Sequence, residues 1–325
     1  MIIKNNTILK IDDLKTYFYT SDRIIKAVDG ISFNLGEGEM LGIVGESGSG
    51  KSVTAYSAIR LIRPPGKIVQ GNVFFNDISI MRLSEHDMRT RIRGKNIALI
   101  FQDPLSALNP SYKIGWQIME SITLHNKKAN KKEVYEKAID MLRKVQIPDP
   151  EIRIKNYPHQ FSGGMRQRVL IAIALACNPK ILFADEPTTA LDVTIQAEIM
   201  DLLDELREIF KLSIIFISHD ISLVAERCDR IIVMYSGRIL EMGPSKEIMK
   251  KPLHPYTMDL INCLPIIDSK TNVLMAIKAE DTQLDHDISG CKYYKRCKLA
   301  KQECKTIKAL LREVKPGHFS SCIIT

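Results

Sequence analysis

GESGSGKS occupies residues Gly45 to Ser52 and decides the fold. It satisfies in full the pattern G-x-x-x-x-G-K-[ST], in which glycines let successive backbone N–H groups face phosphate oxygens. The apolar run MLGIVG leads into it, and we predict a helix from Ser52 to Ile62 after it. The positive end of that helix's dipole would face the same anion. The predicted phosphate cradle consists of Gly45, Glu46, Ser47, Gly48, Ser49, Gly50, Lys51 and Ser52.

The rest of the chain alternates strand-like and helix-like segments. Apolar runs typical of strands are IALIF at 97–101, ILFAD at 181–185, IIFIS at 214–218 and RIIVMY at 230–235. Amphipathic helices are predicted from Val134 to Val145 and from Ile195 to Ile209. Residues 104–157 carry little strand signal and are predicted to be a helical insertion. Strands this apolar predict an α/β fold with a mostly parallel sheet covered on both faces.

Acidic residues at the end of ILFAD supply the second half of a nucleotide site. Lys51 can reach the β- and γ-phosphates, and the Ser52 hydroxyl can ligate Mg²⁺. Asp185 is well placed to hold a magnesium-bound water, and Glu186 to act as general base on the attacking water. Alone, this acidic pair could simply cap the next helix.

The segment FSGGMRQR at 161–168 separates this chain from most phosphate-loop proteins. Its Ser-Gly-Gly opens a long helix and so makes a second anion-binding helix N-terminus. Placed just before ILFADE, it resembles the signature of the ABC family. In that family the signature contacts the γ-phosphate of ATP held by the opposing subunit. The family pattern has Leu first and Gln fifth, where this chain has Phe161 and Met165, but Ser162, Gly163 and Gly164 are intact.

Other positions match the ABC family in order and spacing, over about residues 8–260. Gln102 resembles the Q-loop glutamine, which touches Mg²⁺ and the attacking water, and His219 resembles the switch histidine. Ala190-Leu191-Asp192 resembles the D-loop. Each alone could be a surface amide, a loop histidine or a helix cap. For the aromatic that stacks on adenine, both Tyr19 and Phe18 remain open, with core packing as the alternative for either.

The resemblance implies an ABC nucleotide-binding domain over residues 1–255, followed by a C-terminal extension over 256–325. The domain would contain a mostly parallel sheet, a small antiparallel β subdomain and a helical subdomain at about 104–165. Two such domains would pair head to tail around Mg-ATP. The implied catalytic residues are Lys51, Gln102, Glu186 and His219. The implied magnesium ligands are Ser52, Gln102 and Asp185, and the other nucleotide contacts are the phosphate cradle, Tyr19, Ser162, Gly163, Gly164 and Asp192.

The tail narrows the resemblance to one branch. HPYT at 254–257, followed by Leu264-Pro265, resembles the extension of oligopeptide and dipeptide importer ATPases. Four thiolates can hold an iron–sulfur cluster or zinc, although free thiols are an equal alternative. The branch implies a [4Fe–4S] cluster. The four cysteines are Cys291, Cys297, Cys304 and Cys322.

Composition and charge argue against two other classes of protein, those that span a membrane and those that bind nucleic acid. None of the apolar runs approaches the ~18 residues that a membrane span needs, and the N-terminus lacks a signal core, so we expect a cytosolic protein. The net charge is +8, but residues 291–325 hold nine Lys/Arg against two Asp/Glu. Because the excess sits in this short tail, we expect a solvated charged surface and no nucleic-acid partner.

These features together predict the ATP-hydrolysing subunit of an importer at the cytoplasmic face of the membrane. Its expected partners are two transmembrane permease subunits, an extracytoplasmic solute-binding protein and an identical or paralogous ATPase. The expected solutes are oligopeptides or dipeptides, with nickel or another small solute as the alternative. A soluble ABC ATPase acting on nucleic acid or ribosomes is less favoured, since those chains usually carry two cassettes or a coiled-coil insertion.

Overall fold

The computed structural model describes residues 7–126, 128–189, 191–264 and 289–325 of the 325. Ala190 of the predicted D-loop and Pro265 of the predicted tail motif lie outside these residues. The chain forms two compact units, each discontinuous in sequence. Among the described residues, the first unit takes in those of 7–8, 35–39 and 76–217, and the second takes in those of 9–34, 40–75 and 218–325.

Twelve strands are formed within the described residues. They are β1 (Thr7–Tyr19), β2 (Ile24–Gly36), β3 (Met40–Val44), β4 (Gly66–Phe75), β5 (Ile78–Ser79), β6 (Ile97–Ile100), β7 (Ile181–Asp185), β8 (Ser213–Ser218), β9 (Arg230–Tyr235), β10 (Arg238–Pro244), β11 (Arg312–Lys315) and β12 (His318–Ser320).

Eleven α-helices are formed within the same residues, together with short 3₁₀ or π turns at Ile80–Arg82, Met88–Ile92, Pro158–Gln160 and Gln302–Lys305. The helices are α1 (Lys51–Ala58), α2 (Glu85–Asp87), α3 (Pro104–Ala107), α4 (Ile114–His125), α5 (Lys131–Lys144), α6 (Pro150–Arg153), α7 (Gly163–Leu175), α8 (Val193–Phe210), α9 (Ile221–Arg227), α10 (Ser245–Lys250) and α11 (Pro255–Asn262).

The first unit is a parallel sheet with helices. β7 pairs with β6 on one side and with β8 on the other, and every residue of β7 is buried. Residues 104–157 hold α3 to α6, as the weak strand signal predicted. The predicted amphipathic helices are confirmed as α5, which begins in an Asn130–Glu133 capping box, and α8, which Asp192 caps.

The second unit contains both sheet types. β3 pairs with β9 in parallel, and β9 continues through an antiparallel ladder to β10, β12 and β11. Strands β2, β1 and β4 are neighbours in another sheet, in which β1 and β4 pair antiparallel. The β9–β10 hairpin turns at Ser236 and Gly237, both with positive φ, a geometry that matches the twist of the flanking strands.

Two elements, α1 and β6, end before their predicted last residue. The helix after the phosphate loop ends at Ala58 rather than Ile62, because Arg60 takes a left-handed conformation and Pro64-Pro65 follows. Phe101 lies outside β6 and is exposed, since pairing with β7 stops at Ile100. Within the described residues, none of the helices combines the length and apolar character required to cross a bilayer.

Candidate nucleotide site

The phosphate loop joins β3 to α1 in the second unit and depends on two glycines with positive φ. Gly45 has φ +153°, and a Cβ there would lie 2.2 Å from the carbonyl oxygen of Met234. Gly50 has φ +102°, and a Cβ there would lie 2.2 Å from the carbonyl oxygen of Ala27. A side chain at either position would therefore push the loop away from the neighbouring backbone.

The loop holds its lysine against its own carbonyls. Lys51 is 4% exposed, and its Nζ donates to the oxygens of Gly45 at 2.7 Å and Glu46 at 3.0 Å. Ser49 Oγ is buried without a hydrogen-bond partner among the described residues. The first N–H groups of α1 have no intrahelical acceptor. A buried cation, an unsatisfied hydroxyl and a helix N-terminus together fit a phosphate chain with its bound Mg²⁺.

Glu46 connects the loop to two residues that sequence reasoning did not assign to the site. Its backbone N–H donates to Tyr256 Oη at 3.0 Å. Its carboxylate accepts two hydrogen bonds from the Arg296 guanidinium, Nη1 to Oε2 at 2.8 Å and Nη2 to Oε1 at 2.9 Å. Two features of the sequence could have suggested these contacts: an acidic residue inside an anion-binding loop and a tail rich in basic residues.

His219 and Tyr19 also lie in the second unit, and both are exposed. His219 follows β8 and precedes Asp220, whose carboxylate caps α9 by accepting from the N–H of Ser222 at 2.8 Å. Tyr19 ends β1 and is 43% exposed. Phe18 instead packs so closely on Gly66 that a Cβ there would lie 2.7 Å from Phe18 Cε1. Of the two aromatic candidates, Tyr19 therefore has the ring that a ligand could reach.

The first unit brings Gln102 and Glu186 together. Gln102 Nε2 donates to Glu186 Oε2 at 2.9 Å, and Thr189 Oγ1 donates to the same oxygen at 2.8 Å. Asp185 is fully buried at the end of β7, and Glu186 has φ +47°. A non-glycine residue held at positive φ is strained in a way that is common at functional sites. Thr189 was not predicted, although a hydroxyl three residues after an acid is a usual local donor.

The Ser-Gly-Gly segment begins α7 as predicted. Ser162 Oγ accepts from the N–H of Met165 at 3.3 Å, and Phe161 is buried, so it fills an apolar position. A Cβ at Gly164 would lie 2.7 Å from Ile195 Cγ2, which places this segment against the start of α8. Asp192 caps α8 by accepting from the N–H of Ile195 at 3.0 Å.

The four tail cysteines line one small cavity in the second unit, with a volume of about 20 Å³. Burial raises the pKa of Cys291 to about 11 and also raises the pKa of Cys297, and the other thiols add to both shifts. Within the described residues, however, no group of three or more His, Cys, Asp or Glu side chains is arranged to hold a metal ion. The thiols face one space without forming a ligand shell.

A buried histidine fixes the start of this tail. His254 is 1% exposed, its backbone N–H donates to Glu241 Oε2 at 2.8 Å, and its Nδ1 accepts from the N–H of Tyr256 at 3.0 Å. Burial lowers the pKa of His254 to about 4, outweighing the opposing effect of Glu241. Glu241 is fully buried and also bonds His318 Nε2 at 2.7 Å.

Comparisons with known proteins identify a family and similar solved structures. A family model described as "ABC transporter" matches residues 28–189, and one described as "Oligopeptide/dipeptide transporter, C-terminal region" matches residues 240–304. Among solved structures, the ATP-binding cassette MJ0796 bound to ADP and Pi is 28% identical with a TM-score of 0.65, covering 73% of this chain and 98% of that one. The structure of cbiO1 from Clostridium perfringens is 30% identical with the same TM-score, covering 76% and 92%.

Curated relatives match almost the whole chain. The probable peptide ABC transporter ATP-binding protein y4tR of Sinorhizobium fredii is 45% identical, covering 98% of this chain and 95% of the relative. The oligopeptide transport ATP-binding protein OppD of Escherichia coli is 44% identical, with 98% and 93% covered. The dipeptide transport ATP-binding protein DppD of the same organism is 43% identical, with 97% and 96% covered. The chain therefore belongs to the ABC transporter family, in the branch of oligopeptide and dipeptide transport ATP-binding proteins.

Proposed function

We propose that this protein binds and hydrolyses Mg-ATP to drive the import of oligopeptides or dipeptides. The observation that carries the proposal is the match of one chain to both the ABC model and the oligopeptide/dipeptide C-terminal model. In this proposal the protein lies at the cytoplasmic face of the membrane. It is held there by two permease subunits and pairs with an identical or paralogous ATPase. An extracytoplasmic binding protein delivers the solute to the permease subunits.

The chain's own residues have distinct roles in the proposed reaction. The phosphate cradle and Lys51 would bind the phosphate chain. Ser52, Gln102 and Asp185 would hold Mg²⁺, which would supply positive charge against that developing on the phosphoryl group. Glu186 accepts a proton from the attacking water, while Gln102 and Thr189 orient its carboxylate through Oε2. His219 lies near the γ-phosphate. Ser162, Gly163 and Gly164 contact the γ-phosphate held by the opposing subunit.

Replacing Glu186 tests the catalytic assignment. Glu186→Gln keeps the size of the side chain but removes the base, so ATP binding should persist while turnover falls by about 10²-fold or more. The matched control is Glu136→Gln, the same chemical change at an exposed position of α5 in the same unit. ATP affinity and phosphate release would be measured for both. ATP turnover by Glu186→Gln at a rate near that of wild type would show that Glu186 is not the general base.

Solute uptake tests the importer assignment. The protein would be co-purified with its permease subunits, reconstituted in vesicles with the solute-binding protein, and supplied with labelled di- and oligopeptides or nickel. ATP-dependent peptide accumulation supports the proposal. Accumulation of nickel alone, or ATPase activity that responds to nucleic acid instead, would replace it with one of the alternatives.

We also propose that Cys291, Cys297, Cys304 and Cys322 hold a [4Fe–4S] cluster. Support comes from the single cavity that all four thiols line and from the chemistry of four thiolates. Forming the cluster would require the thiols to lose their protons and the cavity to widen. Protein purified without oxygen should absorb at about 400 nm and contain about four irons per chain. One zinc instead would indicate a structural clip, and the lack of both metals would leave four free thiols.

A further inference from the structure

The tail makes a direct ion pair with the phosphate loop. Arg296 and Glu46 are 250 residues apart in sequence, yet their guanidinium and carboxylate meet face to face through two hydrogen bonds of 2.8 and 2.9 Å. The side chains are only 17% and 25% exposed. A two-pronged pair of this kind is stronger and more directional than a single charged contact, and limited exposure reduces screening by salt.

An aromatic cluster holds Arg296 in place. The guanidinium lies 5.7 Å from the ring centres of both Tyr235 and Tyr293, and Nη1 donates to Tyr235 Oη at 3.3 Å. Tyr293 is itself fixed, because its hydroxyl donates to Asp259 Oδ2 at 2.5 Å. The hydrogen bonds to Glu46 raise the pKa of Arg296 above its already high ordinary value. Arg296 therefore approaches the loop as a permanent, preorganised cation.

Two physical effects follow for a loop that binds polyphosphate. A glycine-rich loop loses much conformational entropy when it is ordered, and a fixed Glu46 means that part of this loss has occurred before nucleotide binds. The Glu46 carboxylate would also repel a phosphate chain, and the guanidinium cancels its charge. The same segment is held from the other side by Tyr256, which accepts from the N–H of Glu46.

We propose that Arg296 is a positioning residue for the phosphate loop, and that through Glu46 the C-terminal tail sets the affinity of the protein for nucleotide. The inference rests on the proposed ATP-binding function. Arg296 directly precedes Cys297, one of the four cysteines that line the cavity. A change in the occupancy of that cavity would therefore act on the residue next to the arginine that holds the phosphate loop.

Three variants of the full chain test this inference by Mg-ATP binding, measured with a fluorescent ATP analogue. Arg296→Gln should weaken binding about fivefold, the scale of a lost partly buried charged pair. Arg296→Lys keeps the charge but loses the fork and should fall between wild type and Arg296→Gln. Lys298→Ala removes one exposed cation two residues further along the same tail segment and should bind like wild type.

The discriminating measurement is a second substitution. If Arg296 acts by neutralising and holding Glu46, then Arg296→Gln/Glu46→Gln should bind Mg-ATP more tightly than Arg296→Gln alone, because the unpaired carboxylate is gone. In steady-state hydrolysis the single variant should raise KM with little change in kcat, since loop ordering affects bound ATP and transition state equally. General damage to the fold would lower kcat as well, and the second substitution would not reverse it.

The outcomes separate this inference from the function on which it rests. Wild-type protein that binds no Mg-ATP would overturn the proposed function. If wild-type protein binds Mg-ATP and Arg296→Gln binds it equally well, only the positioning role is overturned. Additive effects of the two substitutions on Mg-ATP affinity would overturn the same role. If Arg296→Gln does not fold, Glu46→Gln alone decides: a positioning pair requires its affinity to differ from that of wild type, and equal affinity overturns the inference.

Discussion

Acid should destabilise the second unit through His254. This imidazole is neutral in the folded protein because burial lowers its pKa to about 4, whereas the unfolded chain has the ordinary value of about 6.5. Below about pH 6.5 the unfolded chain binds a proton at His254 that the folded protein does not bind. The stability contributed by the neutral buried imidazole is therefore fully present above about pH 6.5 and is lost as pH falls towards 4. Between about pH 7.5 and pH 5 the loss is about 2 kcal/mol.

The variant that isolates this effect is His254→Asn. An asparagine oxygen can accept from the N–H of Tyr256 as His254 Nδ1 does, so the cap of α11 is retained while the titrating group is removed. Urea unfolding would be followed at both pH values by near-ultraviolet circular dichroism of tyrosine, which reports on the cluster of Tyr235, Tyr256 and Tyr293 in this unit.

Wild type should lose about 2 kcal/mol more than His254→Asn over this pH range. The neighbouring contact between Glu241 and His318 is present in both proteins, so its contribution cancels in the difference. Equal losses in the two proteins would refute the reasoning, and a larger loss in His254→Asn would reverse its sign.

Three further substitutions have defined outcomes. Lys51→Ala should weaken Mg-ATP binding by about tenfold or more, since a charged hydrogen-bonding group is lost from the cradle, and unchanged affinity in a titration would contradict the phosphate assignment. Asp192→Ala should lower the free energy of unfolding by about 1 kcal/mol because α8 loses the acceptor for the Ile195 N–H, which a thermal melt would detect. Cys297→Ser should abolish any iron or zinc found by metal analysis while circular dichroism stays native, and full metal content in that variant would exclude Cys297 as a ligand.

Buried strands were the most predictable part of the fold. The run from Ile181 to Ala184 is apolar because the strand is covered on both faces, and such a run has few other stable environments. The phosphate loop was equally clear, because Gly45 and Gly50 occupy conformations and close approaches that other residues resist. In both cases the structural requirement falls on residues that are close in sequence, so it is visible as a short sequence pattern.

Contacts across long sequence separations were not predictable. No local pattern links Glu46 to Arg296, because the pairing depends on where the tail returns to the loop. The tail was expected to be a solvated charged surface, yet Arg296 is largely buried and Lys292 is 8% exposed. The four cysteines were recognised as a set, but their spacing could not reveal that they face one cavity without forming a ligand shell.

The discontinuity of the two units has a consequence for how the protein is made. The second unit combines segments that begin within β1 with segments beyond residue 217, so a ribosome must release more than 217 residues before that unit can close. Until residue 296 has emerged, the nascent phosphate loop lacks its arginine partner. Domains generally fold as units during synthesis. A newly made chain should therefore acquire its full affinity for nucleotide only after residue 296 has left the ribosome, which limits ATP binding by shorter products.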